Sequence, residues 1–257
     1  MKVRVALVQM DIALGLPKQN YQTVTRLTKD LKPIDIILLP ELWSTGYDLT
    51  NAAKLAESDN GPTVHFMQEL AQQHSAYVGG SILMQRHHGV CNTFVLVSPQ
   101  GIITATYDKT HLFGLMQEDV YLSSGRQLVS IQTEFGSAGL AICYDLRFPE
   151  IFRRYADVPV DFTFLVAEWP LPRIEHWRTL IRARAIENQC YMLACNRVGT
   201  DTNNTFFGHS MVVDPWGEIL LEANDSEVIF TVEIDTASIG AARAKIPVLT
   251  DRRRELY

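Results

Sequence analysis

The chain is 257 residues long, enough for one large domain and well above the size at which disulfides or metals must substitute for a core. Its 47% hydrophobic and 20% charged residues are the proportions of a soluble globular protein and exclude a disordered, collagenous or coiled-coil chain. The formal net charge of -6 is opposite to that of a surface that tracks phosphates, so nucleic acid is not expected as a partner.

The segment VRVALVQM mixes charge with apolar residues and reaches Asp11 without a continuous apolar region or cleavage site. It reads as a first strand rather than an export signal. A helical stretch near 18–30, a strand IDIILLPE, a helix near 61–75 and a strand AYVGGSIL follow, which is the alternation of an α/β fold. CNTFVLVSPQGIITATYD and HSMVVDPWGEILLEA each place a Pro-X-Gly turn between two strands, so hairpins are expected and the sheets should be mixed. In RIEHWRTLIRARAIENQ, Ile174, Trp177, Ile181 and Ala185 recur at three- and four-residue steps as the buried face of a helix, with the arginines mostly opposite. No linker, repeat or low-complexity tract divides the chain, so residues 1–257 are expected to form a single domain. No apolar run approaches the roughly 20 residues of a membrane helix. A soluble, cytoplasmic protein with no membrane partner is expected, its four cysteines kept as thiols.

The chain lacks the phosphate-loop, dinucleotide-loop and zinc-protease patterns. Cys190 and Cys195 lie five apart in an apparent strand, facing opposite ways, and read as small core residues. His87 and His88 sit beside Gly89 in a turn and read as solvated, and Ser210 in GHSMV lacks the second glycine of a serine elbow. Three other polar residues stand at the ends of apolar strands. Glu41 closes IDIILLPE, where a buried carboxylate must be paired, hydrogen-bonded or protonated. Lys109 ends the second strand of the first hairpin. Cys143 ends the strand in GSAGLAICYDLRFPE, with Pro149 suited to a helix start and nearby backbone N–H groups able to bind an oxyanion. Taken singly, Glu41 and Lys109 read first as structural residues, and Cys143 is equally compatible with a structural role.

Together, LPELWSTGYD, YDKTHLF, CYDLRFPE, RARAIENQ and GHSMVVDPWGEIL, in this order, resemble the nitrilase superfamily of carbon–nitrogen hydrolases over nearly the whole chain. The resemblance implies a four-layer α-β-β-α sandwich, commonly paired as a homodimer, and a triad of Glu41, Lys109 and Cys143. It maps a second glutamate onto Glu118, with Asp119 as rival, and pairs Lys109 with the Tyr144 backbone N–H at the oxyanion. Arg147 and Glu150 are read as bracing the turn after Cys143. PELWSTGYD and CYDLRFPE look most like the ω-amidase branch, which implies a small dicarboxylate monoamide such as 2-oxoglutaramate as substrate. On that reading Tyr47 lines the pocket, Trp169 forms a wall and Arg173 holds the distal carboxylate, since a guanidinium matches it in geometry. Glu168 departs from the family pattern, and a free carboxylate there would repel an anionic substrate. The scheme uses no metal and no organic cofactor. An N-carbamoyl amine hydrolase or an aliphatic nitrilase would use the same triad, and a non-catalytic binding protein on the same fold is the reading from another class. The arginine run of TDRRRELY reads as a solvated face.

Overall fold

The structure, a computed structural model, describes residues 1–256. In chain order the first half comprises β1 (Lys2–Gln9), α1 (Pro17–Thr28), β2 (Ile36–Leu38), α2 (Ala52–Leu55), α3 (Pro62–His74), β3 (Tyr77–Arg86), β4 (Gly89–Val97) and β5 (Ile103–Asp108). A one-turn α4 (Glu118–Tyr121) leads to β6 (Ser130–Thr133), β7 (Gly136–Ile142), α5 (Pro149–Tyr155), β8 (Phe162–Ala167), α6 (Ile174–Asn188) and β9 (Tyr191–Asn196). The chain continues through β10 (Val198–Thr200), β11 (Thr205–Phe207), β12 (Met211–Val213), β13 (Ile219–Glu222), β14 (Val228–Asp235) and α7 (Ala237–Lys245).

Two six-stranded mixed sheets result, ordered β14-β1-β2-β3-β4-β5 and β13-β12-β9-β8-β7-β6. Pairing is parallel at the centre of each, across β1, β2 and β3 and across β7, β8 and β9, and antiparallel toward the edges, where the two predicted hairpins lie. The side-chain alternation of a strand assigns the layers. Val3, Val5 and Leu7 of β1 face the second sheet, whereas Ala6 and Val8 face α1 and α3. The same division separates Phe94 and Leu96 from Val95 and Val97 on β4. Strands buried on both faces must be apolar throughout, as the VALV stretch of β1 after Arg4 and the IIL of β2 are. On the far side, Phe152 of α5 and Trp177, Ile181 and Ala185 of α6 cover the second sheet. The architecture is therefore the expected four-layer α-β-β-α sandwich. Pro17, Pro62 and Pro149 each open a helix, as a residue without an N–H is suited to do.

Three local expectations change. Arg184, expected on the solvated side of α6, is buried, because its guanidinium donates to the Leu146 carbonyl from Nε and Nη2 at 3.2 and 3.0 Å and lies over Phe152. His88 is not solvated: its ring packs against Cys91 and faces Asp108. In the C-terminal tail, Arg252 folds back to pair with Asp157 at 3.1 Å instead of standing in solvent. Cys190 and Cys195 are buried thiols, as expected. No helix among the described residues is long and apolar enough to cross a membrane.

Candidate active site

Glu41, Lys109 and Cys143 come from the ends of β2, β5 and β7 and meet where the two sheets open. Glu41 is fully buried, and its carboxylate has four donors: Lys109 Nζ, Tyr47 Oη and Asn92 Nδ2 on Oε1, each at 2.8 Å, and the Glu168 backbone N–H on Oε2 at 2.8 Å. Glu118 stands opposite, also fully buried, with Lys109 Nζ at 2.8 Å, Tyr47 Oη at 3.0 Å and the Phe113 N–H at 2.6 Å. The one-turn α4 turns Glu118 inward and leaves its neighbour Asp119 exposed, so the rival acid is outside the cluster.

Two carboxylates around one ammonium leave an excess negative charge in a dry site. Burial alone would lower the Lys109 pKa, but Glu118 and Glu41 more than offset it and hold the ammonium charged. Burial foremost, then the negative charge of Glu41, holds the Cys143 thiol well above its ordinary range, with Lys109 pulling the other way. Burial, and after it the surrounding carboxylates, keep Cys143 a neutral thiol at rest.

The backbone is strained where these side chains project. Cys143 has φ of 43° and Leu42, immediately after Glu41, has φ of 42°. Each such non-glycine position costs about 1–3 kcal/mol and persists only where its surroundings over-determine it. At Leu42 the determinant is its N–H on Ser81 Oγ at 2.9 Å. At Cys143 it is Asp145, whose Oδ2 accepts the Ile142 N–H at 3.0 Å and the Tyr107 hydroxyl at 2.7 Å while Oδ1 accepts the His111 N–H at 3.1 Å. The strand that carries Lys109 is thus tied to the turn that carries Cys143. Lys109 itself is fixed through its N–H on the Asn92 carbonyl and its carbonyl under the Gly125 N–H, both at 2.8 Å. Only glycine fits at 125, because a Cβ would stand 2.0 Å from the Asp108 oxygen.

A cavity beside the Cys143 thiol is lined by Tyr144, Trp169, Arg147 and Arg173 together with Phe113 and Glu168. Trp169 is a buried wall, fixed by its indole N–H on the Arg173 carbonyl at 3.0 Å. Arg173 lies over the Phe113 ring. Arg147, read from the sequence as a brace, instead faces this cavity, with its guanidinium 4.5 Å from the centre of the Trp169 ring. Burial, and then the neighbouring charge of Arg173, depress its pKa. Glu150 is exposed on the first turn of α5. Tyr47, expected to line the pocket, has its hydroxyl committed to Glu41 and Glu118. Glu168 does not present a free carboxylate: Arg197, itself buried, pairs with it at 2.6 Å. Burial still pushes the Glu168 carboxyl up to about 8 against the pull of Arg197. Asn92 and Asp145 were missed. Asn92 was detectable as the lone amide in the otherwise apolar run CNTFVLV, and Asp145 as a carboxylate two residues after the cysteine.

Comparison with known proteins identifies the family. A carbon–nitrogen hydrolase family model matches residues 4–244. A 2-oxoglutaramate amidase of Bacillus subtilis is 40% identical over 100% of both chains, and the omega-amidase YafV of Escherichia coli is 34% identical over 97% of this chain and 96% of its own. Among solved structures, a CN-hydrolase superfamily protein of Xanthomonas campestris with an arsenic adduct in its active site superposes with a TM-score of 0.93 at 33% identity, covering 98% of this chain and 97% of its own. The chain belongs to the carbon–nitrogen hydrolase family and is an amide hydrolase of that family.

Proposed function

We propose that the chain is an ω-amidase that hydrolyses the terminal amide of a small dicarboxylate monoamide, 2-oxoglutaramate foremost, to the acid and ammonia. The observation that carries this reading is one cavity whose lining brings Cys143 together with two guanidiniums, Arg147 and Arg173, neither of which forms an ion pair among the described residues. A thiol in the company of two unneutralised cations suits a substrate that carries both an amide and a carboxylate. The relatives' names point the same way.

In this scheme Cys143 Sγ attacks the amide carbon as Glu41 takes the thiol proton. That transfer moves a charge within the cluster without changing its total, so the dry site bears no new net charge. Lys109 Nζ has three N–H bonds; two lie on Glu41 and Glu118, and the third makes only a long 3.4 Å contact with Tyr47. This weakly held N–H and the Tyr144 backbone N–H stabilise the oxyanion, a preorganised pairing worth about 3–4 kcal/mol per donor. Glu41 passes its proton to the amide nitrogen, the C–N bond breaks and ammonia leaves, with a thioester on Cys143. Glu41 then takes a proton from water as the water attacks the thioester, and returns it to Sγ as the acid departs. Glu118 holds Lys109 in place, Trp169 walls the pocket, and neither metal nor cofactor has a part. We place the enzyme in the cytoplasm, where four unpaired cysteines are at home, and as a homodimer.

Ammonia release from 2-oxoglutaramate, succinamate, glutamine, a neutral amide of equal length, a carbamoyl amine and an aliphatic nitrile tests the assignment. The acidic amides should exceed the neutral one in kcat/KM by about 100-fold or more, because half-buried cations left unpaired penalise the neutral analogue. Arg173→Met should raise KM for the acidic amides and leave the neutral one nearly unchanged. Preference for the neutral amide, the carbamoyl amine or the nitrile would reject the ω-amidase reading.

A further inference from the structure

On the other side of the wall that carries Asn92 and Lys109, three side chains converge that the hydrolytic scheme does not use. His88 follows the turn between β3 and β4, Cys91 lies on β4, and Asp108 ends β5. Cys91 and Asp108 immediately precede Asn92 and Lys109 in sequence, and successive side chains of a strand point to opposite faces. The cluster is therefore back to back with the catalytic one and separate from it. Cys91 Sγ lies 3.2 Å from His88 Nε2, and His88 Nε2 lies 3.9 Å from Asp108 Oδ2. The three donor atoms all fall within 4.8 Å of one another.

These separations suit a tetrahedral ion. With bonds of about 2.0–2.3 Å from zinc to O, N and S, tetrahedral donors stand roughly 3.3–3.6 Å apart, so small side-chain rotations complete the set. The supporting contacts leave the needed atoms free. Thr93 Oγ1 at 2.7 Å and Arg86 Nε at 3.2 Å both donate to Asp108 Oδ1, which aims Oδ2 at the imidazole. Ser123 Oγ donates to the His88 carbonyl at 2.8 Å and fixes the turn. Arg86 is the one cation at the site, and Asp59 pairs with it at 2.9 Å, so its charge does not stand alone against an incoming ion. Outer contacts that orient ligands in this way are what distinguish a built metal site from a chance cluster.

We propose that His88, Cys91 and Asp108 form a binding site for a borderline-soft divalent cation of the zinc class. Thiolate and imidazole select such an ion over magnesium or calcium, and a three-residue set leaves a fourth position for water. On binding, the Cys91 S–H bond gives way to an Sγ–metal bond and its proton passes to solvent, while Nε2 and Oδ2 supply lone pairs. The ion would clip the β3–β4 turn to the end of β5.

Cobalt(II), titrated into the full-length Cys143→Ser protein so that the catalytic thiol cannot contribute, tests the proposal. The expected result is one equivalent bound with a near-ultraviolet thiolate-to-cobalt band and visible bands of a tetrahedral ion, all displaced by zinc. Zinc at about a hundredfold excess over its Kd should raise the Tm by roughly 5 °C. Adding Cys91→Ser should abolish the band, and His88→Ala, at a partly exposed position, should weaken binding at least about tenfold while the protein stays folded by circular dichroism. Absence of the band in Cys143→Ser overturns the proposal, as does a band that survives Cys91→Ser or binding unchanged by His88→Ala.

Discussion

At Cys143 the electrostatics determine how the nucleophile should behave before substrate arrives. A thiol held well above its ordinary range by burial and by Glu41 is protonated at rest, so its thiolate fraction grows with pH throughout the neutral range. Iodoacetamide labelling of Cys143 should accordingly accelerate about tenfold per pH unit between roughly pH 6 and pH 9. A flat rate, measured by mass spectrometry of the labelled peptide, would indicate a preformed thiolate and contradict the charge balance described above. Cys143→Ala should abolish ammonia release with little change in Tm, because the lost group is small and its role is chemical. Glu41→Gln and Lys109→Met should each lower kcat by about 10³-fold or more, since members of one catalytic unit fail together. Activity within tenfold of the parent in either variant would remove that residue from the scheme. Glu41, Lys109 and Cys143 each stood out as a costly polar group at the end of an apolar strand, but only the family resemblance grouped them as a triad. Arg147 was not, because a guanidinium four residues after the cysteine has no pattern that tells a brace from a pocket wall. Only the Trp169 ring beneath it, brought from β8, places it in the cavity.

Helix α6 illustrates what periodicity captures and what it misses. Trp177, Ile181 and Ala185 are buried as their spacing requires, yet Arg184 shares their face. A hydrophobic-periodicity reading scores an arginine as outward and cannot register that a carbonyl awaits it inside. That carbonyl belongs to Leu146, in the 3-10 turn Cys143–Arg147 that carries the nucleophile. Arg184→Ala therefore removes both charge-assisted bonds to that carbonyl, and with them the ion pair to Glu187 at 2.8 Å, and leaves the Leu146 carbonyl unmet, at a cost of about 1.5–3 kcal/mol. In a chain of this length the Tm should fall by on the order of 5 °C. The Cys143 turn should also loosen, so kcat should drop severalfold with KM nearly constant, whereas a purely distant destabilisation would leave kcat intact below the transition. Strand β2 shows the converse limit. IDIILLPE reads as eight residues of strand, but only Ile36–Leu38 pair on both sides. Pro40 cannot donate to a ladder, and the chain turns there to present Glu41.

At the scale of the whole molecule, the alternation of strands and helices indicated an α/β fold with hairpins, while the pairing of two sheets into four layers came from resemblance rather than from periodicity. The reason is physical: which face of a doubly buried strand meets a helix and which meets a sheet is a tertiary choice, and Val3 and Ala6 carry no mark of it. The same limit applies to the outer surface, on which the proposed homodimer makes a testable demand. Ile186 on α6 is 48% exposed, and Trp216, Ile219 and Leu220 of the adjoining β12–β13 hairpin are 41%, 40% and 42% exposed. The hairpin turn is held to α6 by Arg182 Nε on the Gly217 carbonyl at 3.1 Å, and Gly217 lies against Ile186. β13 is moreover the edge of its sheet, with a row of backbone groups open on one side. An apolar patch on an unprotected edge favours association unless a partner covers it, and the least demanding partner is a second copy meeting it across a twofold axis. Light scattering after size exclusion should therefore give twice the 29.0 kDa of the chain. Combining Ile186→Glu with Trp216→Glu should return the single-chain mass, because charges facing their own copies across a twofold contact repel. A dimer that persists in the double variant would place the contact elsewhere, and a monomeric parent would remove the homodimer from the proposal.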